Sequence, residues 1–329
     1  MSKTSQAAVD QPVQLSPVHV AKPWGQEIWY SGIEARGESE VITPNGRLKL
    51  SVYLDIDRGA TCNHQELVLL KVLDPNPSPV LGDLYFEVHE EKREVYVVTA
   101  IDRGAWPDGR GQIRFGMNQT LRESFGNDDA FRAAYLAAVE DYERVRRAID
   151  NGGQGLTGEE LAKRTAMDAF TALTALEIGD VVAVPKWVPH ALQHGVRVIE
   201  FQTPTYERHI ISFAQRVLTQ DHWDSQHAVK HMSVEPVAAI EFETVASGIE
   251  RIVSFEDFGV WRVTVEPGMR LAMPSGVPYA ICTPLDGAIR VGALPLAPEQ
   301  ACLVPSAGLE TTHITAAVTA RCLIAAPGL

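Results

Sequence analysis

A glutamate, a histidine and a second glutamate stand close together in Glu87-Val88-His89-x-x-x-x-Glu94, and a further histidine closes the run Gly179-Asp180-x-x-x-x-Pro185-x-x-x-x-His190. Two imidazoles and two carboxylates suit one divalent metal ion, zinc first, with manganese, iron and cobalt also served by this donor set. Alternate residues of a strand share a face, so Glu87 and His89 project together. The polar stretch Glu90-Glu91-Lys92-Arg93 turns the chain, Glu94 opens the next strand, and His190 follows the strand that Pro185 stops. The competing reading of the first segment is a solvated, charged hairpin tip. The second segment combines a turn, an apolar strand, a proline stop and a histidine, and it tips the balance toward a metal-dependent enzyme. The two segments are far apart in the chain, so only a folded barrel brings them together.

Other side chains could share such a site. Lys71 sits inside the apolar run Leu67–Leu73. If it points inward it is a buried cation that invites an anion; otherwise it lies on an edge strand. Glu200 and Gln202 share one strand face, and Glu200 reads either as a base or as a partner of Arg197. Trp24 and Trp29 read as packing. Asp221-His222-Trp223-Asp224 reads as structural, because adjacent residues do not easily face one metal. The direction of His194 is left open by the turn at Gly195.

The elements that must position these groups are short strands. Leu48–Ile56, Leu67–Leu73, Glu94–Thr99, Val181–Val184 and Val196–Gln202 read as strands, separated by turns such as Pro44-Asn45-Gly46. Residues 1–17 read as a frayed leader. Residues 120–170 change character. Asn127 caps a helix that carries Asp128 and Asp129 in its first turn. Phe131, Tyr135, Ala138, Tyr142, Val145 and Ile149 form its apolar stripe, and Asn151-Gly152-Gly153 ends it. A second helix opens with Thr157-x-x-Glu160, which fits a capping box. This helical insertion is either a lid or a packed ornament. Beyond about residue 235 strands dominate again, with Val260–Val265, Ala288–Val291 and Ala301–Pro305. The phrase Glu299–Pro305 echoes Gly179–Pro185 and suggests a second copy of one module without the histidines.

Bulk properties exclude several classes. The chain has 329 residues, 45% hydrophobic and 22% charged, which fits two globular domains. Its 42 acidic residues exceed its 29 basic ones, for a formal charge of −13, and such a field opposes nucleic-acid binding. Cys62, Cys282, Cys302 and Cys322 form no metal-binding pair and read as buried reduced thiols. No signal-peptide pattern or membrane-length apolar run is found, so a soluble cytoplasmic protein is expected, with neither nucleic acid nor membrane as partner.

At the level of motifs the chain resembles the type I mannose-6-phosphate isomerase family of the cupin superfamily, as a divergent member. The resemblance runs through Lys22-Pro23-Trp24-Gly25, Lys71-Val72-Leu73, Glu87-Val88-His89, Lys92-Arg93-Glu94, Gly179 through His190-Ala191-Leu192, Glu200-Phe201-Gln202 and Thr205-Tyr206-Glu207-Arg208. It covers roughly residues 20–225. It implies a mainly β fold of two cupin (jelly-roll) barrels with a helical insertion in the first. The first barrel would occupy 1–233, with the insertion at about 120–170, and a metal-free one 234–329. It implies Glu87, His89, Glu94 and His190 as metal ligands, Lys71, Lys92 and Arg208 around the substrate, and Arg208, Lys92 and Glu200 as catalytic groups. The implied activity is a metal-dependent aldose–ketose isomerisation of a sugar or sugar phosphate, such as mannose 6-phosphate to fructose 6-phosphate. Other cupin chemistry (an oxygenase or a lyase) and non-catalytic sugar binding are the alternatives. The sequence departs from the family pattern at several places: the stretch between Lys71 and His89 is longer, and the Ser-Asp before the Thr-Tyr-Arg element is missing. Glu87 replaces a glutamine, Glu90 a proline, and Tyr85 or Phe86 a phosphate-binding serine; Glu207 intrudes before Arg208.

Overall fold

A computed structural model describes residues 10–35, 37–56 and 66–328. The fold is mainly β, and alternation along its strands decides how the sheets stack. A six-stranded antiparallel sheet runs in the order Val181–Val184, Glu94–Ile101, Val196–Gln202, Leu69–Pro75, Gly25–Trp29, Val18–Lys22. A five-stranded sheet, Thr171–Leu176, Gly111–Met117, His190–Leu192, Phe86–Val88, His209–Ser212, covers one of its faces. Between them Tyr96, Val98, Val182, Val184 and Val198 meet Phe86, Val88, Ile113, Leu192 and Ile210.

The other face of the six-stranded sheet is equally apolar. Leu70, Val72, Val95, Val97, Ile199 and Phe201 pack against Leu15, Val260, Ile281, Leu303, Leu323 and Ala325 of a nine-stranded sheet. A four-stranded sheet closes the far side of the nine-stranded one over a third core, which includes Val263, Cys282, Cys302, Cys322 and Ile314. The result is four β layers with three apolar seams. Polar ties cross the central seam: Tyr279 Oη accepts from Val68 N at 2.8 Å and donates to Glu66 O at 2.9 Å, and Thr203 Oγ1 donates to Asp257 Oδ2 at 2.5 Å.

The nine-stranded sheet is not made by the C-terminal segment alone. Val13–Ser16 pairs with Ala301–Pro305 on one side and with Glu40–Thr43 on the other, and Gly46–Lys49 extends the edge. Strands from before residue 50 therefore sit in the sheet built by residues 243–327, across the expected division at 233/234. Residues 13–16 are a strand rather than a frayed leader, because Val13 and Leu15 bury themselves in the central seam. Residues 1–9 and Cys62 lie outside the described residues; Cys282, Cys302 and Cys322 are free and buried as expected.

The expected strand at 48–56 breaks at residue 50. Gly46–Lys49 is a strand and Leu50–Ile56 a helix that buries Leu50, Tyr53 and Leu54, spaced three and four apart. Helix Asp128–Asp150 opens as expected, with Asn127 Oδ1 accepting from Ala130 N at 2.8 Å, but Val139 rather than Ala138 completes its buried stripe. Helix Thr157–Asp168 has no side-chain cap. Glu160 instead accepts from Tyr142 Oη at 3.0 Å and so joins the two helices. Phe131, Tyr135, Val139 and Tyr142 belong to the core of the first half, so the insertion is packed onto the sandwich. The echo between the halves extends to the backbone: Glu299 adopts φ 65° where the earlier copy has Gly179 at φ 97°.

Phe201 is fully buried in the central seam. Phe201→Ala is expected to lower unfolding stability in urea by about 3–5 kcal/mol. A loss below ~1 kcal/mol would show that the seam is loosely packed.

Candidate metal centre and its cavity

Register across the six-stranded sheet builds one wall of a cavity. Tyr96 lies opposite Glu200, Glu200 opposite Lys71, and Lys71 opposite Trp29, a lateral row over four strands. One step along, Glu94 lies opposite Gln202. The apolar residues between them face the central seam, so the charged set can only point inward. In the facing sheet His190 lies opposite Glu87. These residues line or underlie a cavity of about 660 Å³ whose walls include Glu27, Lys71, Glu87, Lys92, Glu200 and Arg208. No residue from 119–168 lines it, so the helical insertion does not cover it.

The sequence-derived metal set gathers at the cavity floor. Glu87, His89 and His190 place one ligand atom each within 4.8 Å of one another. His89 Nε2 is 3.6 Å from Glu87 Oε1 and 3.5 Å from Glu94 Oε1, beyond good hydrogen-bond range. Both ring nitrogens of His89 and Glu87 Oε2 are buried without a hydrogen-bond partner. Glu94 stands beside this trio. It accepts from Tyr96 Oη at 2.5 Å, pairs with Lys92 Nζ at 2.6 Å, and lies 3.1 Å from His190 Nε2.

These contacts fit a cation. His190 Nδ1 lies 2.9 Å from the carbonyl of Val188, which can only accept, so Nδ1 carries the proton. A neutral ring then aims a lone pair from Nε2 at Glu94 Oε2, and that juxtaposition requires a proton or a metal between them. The two ring nitrogens of His89, a residue only 1% exposed, have no hydrogen-bond partner among the described residues and have the same requirement. The carbonyl contact is the kind of outer partner that orients metal-binding imidazoles.

Charge on the wall is held by mutual pairing. Burial pushes the Glu27 carboxyl up, but Lys71 and Lys22 outweigh it and hold it at about 2. Lys22 Nζ is 3.0 Å and Lys71 Nζ 4.0 Å from Glu27, and Trp29 Nε1 donates to it at 2.6 Å. Lys71 is buried, on a central strand, and donates to Gln202 Oε1 at 2.5 Å. Burial works to lower its pKa, and the carboxylates of Glu200 and Glu27 raise it above the ordinary lysine value. Glu200 is shifted well above the ordinary carboxyl value. Burial dominates, Lys71 at 3.8 Å opposes it, and the charge of Glu94 adds to it. Among the described residues Glu200 Oε2 has no hydrogen-bond partner. Arg197 pairs with Glu299 at 2.8 Å, not with Glu200.

Arg208 lines the same cavity, half-buried. It donates to Thr219 Oγ1 at 2.6 Å and lies over the Tyr85 ring at 4.5 Å. Among the described residues no carboxylate pairs with it. Tyr85 is therefore the residue that faces the cavity, while Phe86 turns into the core. His194 points elsewhere, bonded to Asp83 Oδ1 at 2.7 Å and stacked on Trp106. Asp224 accepts from Ile210 N at 2.9 Å, a structural role. Glu27 and Tyr96 also line the cavity, and neither carries a site motif of its own. Their only signal was strand alternation, with Glu27 two residues before Trp29 and Tyr96 two after Glu94.

No family model matches the sequence, and no curated protein matches it. Solved structures do match over nearly the whole chain. The mannose 6-phosphate isomerase of Bacillus subtilis is 16% identical and has a TM-score of 0.67, with 95% of this chain and 99% of that one covered. An arginine-to-alanine variant of the phosphomannose isomerase of Salmonella typhimurium is 14% identical with a TM-score of 0.71, covering 97% and 100%. A zinc-bound mannose 6-phosphate isomerase is 13% identical with a TM-score of 0.72, again covering 97% and 100%. The fold is that of the mannose-6-phosphate isomerases. At this identity the likeness speaks for the fold, and the chemistry must be argued from the cavity.

A carboxyl whose pKa is depressed on folding stabilises the protein above its unfolded value, and that contribution is lost as pH falls. Glu27, held at about 2 against an ordinary 4.5, contributes fully near neutrality and loses its effect between those two values. The shift corresponds to about 3 kcal/mol. Glu27→Gln is expected to lower stability at pH 7 by that order and to flatten the stability–pH curve between pH 4.5 and 2. An acid limb identical to the wild type would contradict the pairing.

Proposed function

We propose that this protein is a metal-dependent aldose–ketose isomerase acting on mannose 6-phosphate or a closely related sugar. One observation carries the reading: a buried carboxyl, Glu200, with one oxygen free of hydrogen bonds among the described residues, opens onto the same cavity as a cluster of two histidines and carboxylates. Isomerisation between neighbouring carbons needs such a base and a cation for the developing oxyanion.

Glu87, His89 and His190 would hold the divalent ion, with Glu94 beside them as the fourth ligand. When bound, such an ion supplies positive charge next to the sugar's C1 and C2 oxygens. Glu200 Oε2 takes the proton from C2 of the open-chain aldose, leaving an enediol, and returns it to C1; the O2 proton passes to O1. Burial raises the pKa of Glu200, which makes its carboxylate a stronger base than an ordinary one. Lys71, 3.8 Å from Glu200, holds that carboxyl in place. Lys92, paired with Glu94, brings further positive charge to the reacting end. Arg208 offers a guanidinium not paired to a carboxylate among the described residues, suited to an anionic group at the far end of the sugar.

Coupled assays of metal-loaded protein over aldoses and their phosphates test this directly. Conversion with solvent deuterium entering the product carbon is expected, and Glu200→Gln should lower kcat by roughly 10²–10⁴ with metal content unchanged. Failure of every aldose would remove the isomerase reading, and full activity of Glu200→Gln would remove Glu200 as its base. Arg208→Ala is expected to raise KM for a phosphorylated sugar by at least about tenfold and to spare the unphosphorylated one. Equal effects on both would show that Arg208 does not read an anion.

A further inference from the structure

Three distant segments meet on the surface of the first half, beside Glu207, which lines the rim of the cavity. Glu90 comes from the hairpin tip after His89, His209 from the start of strand His209–Ser212, and His227 from the short helix Ser225–His231. Their ligand atoms all lie within 4.8 Å of one another. Glu90 Oε2 is 3.7 Å from His209 Nε2 and 3.6 Å from His227 Nε2, and the two imidazole centroids are 4.7 Å apart. Direct imidazole–carboxylate hydrogen bonds are shorter than this. Neighbouring ligands of a tetrahedral zinc with bonds of about 2.1 Å are separated by about 3.4 Å, close to the spacing found here.

Two further features support a built site. Glu207 Oε1 lies 2.9 Å from His209 Nε2, and the Glu207 carboxylate is aimed by the backbone amides of Glu90 and Glu91, at 3.0 and 3.2 Å. Trp187 forms a platform beneath the rings. It stacks on His209 with an interplanar angle of 6° and contacts His227 at 5.7 Å. Glu90 and Glu207 are also two of the places where the sequence departs from the isomerase pattern, so both departures fall in one cluster.

We propose that Glu90, His209 and His227, with Glu207 at the edge, form a second divalent-cation site suited to zinc. Two imidazoles and a carboxylate match this ion, and the exposure of Glu90 and His227 leaves a coordination position to water. A cation here would clamp the short helix Ser225–His231 to the hairpin tip through His209, the residue that follows Arg208.

Zinc bound per full-length chain, counted by elemental analysis after equilibration with zinc alone, tests the site. Wild type is expected to hold two equivalents, and His227→Ala and Glu90→Gln one each. Both changed residues are exposed, and circular dichroism verifies the fold. Two equivalents retained in both variants overturn the proposal. So does a single wild-type equivalent that survives His227→Ala, which leaves the interior centre standing. A single equivalent that disappears with His227→Ala upholds the rim site and counts against the interior one.

Discussion

The six-stranded sheet works because its two faces have opposite chemistry. Leu70, Val72, Val95, Val97, Ile199 and Phe201 lock one face against the nine-stranded sheet. Lys71, Glu94, Tyr96, Glu200 and Gln202, alternating with them, must then face the cavity. A slip of one residue in any of these strands would drive charge into the apolar seam and is strongly disfavoured. The apolar seam thus fixes the positions of groups that it never touches.

Such a wall would be unstable if its charges were left single. Removal of one partner from a buried pair typically costs several kcal/mol, far more than a surface pair contributes. Here Glu27 answers Lys22 and Lys71, and Glu94 answers Lys92. Among the described residues, His89, one oxygen of Glu87 and one of Glu200 have no hydrogen-bond partner. They are the groups to which a metal or a substrate would bring compensation. The same logic distinguishes the outer cluster at Glu90, His209 and His227. Solvent relieves it, so it tolerates being open.

Much of this was legible from local pattern. The strands Val181–Val184, Val196–Gln202 and Ala301–Pro305 and the cap at Asn127 agree with the sequence pattern, because a period of two and a capping asparagine are local signals. The segment Leu50–Ile56 misled because Leu50, Val52, Leu54 and Ile56 alternate, while Leu50, Tyr53 and Leu54 also satisfy helical spacing. Only packing against the central seam chose between the two periods. Val13–Ser16 misled for a related reason: a short strand after a polar stretch carries little periodicity, and its partners lie almost at the other end of the chain.

By itself the sequence determined residue type and spacing: a Glu-x-His pair on one strand face, a second histidine behind a proline stop, and a lysine among apolar residues. Tertiary structure alone decided which of these meet. Register set Glu200 beside Lys71 and Tyr96, brought in Glu27, which belongs to none of the motifs, and joined Glu90, His209 and His227 from three segments. The physical reason is range. Periodicity and capping act over a few residues, whereas ligand atoms a few ångströms apart are positioned by the stacking of whole sheets.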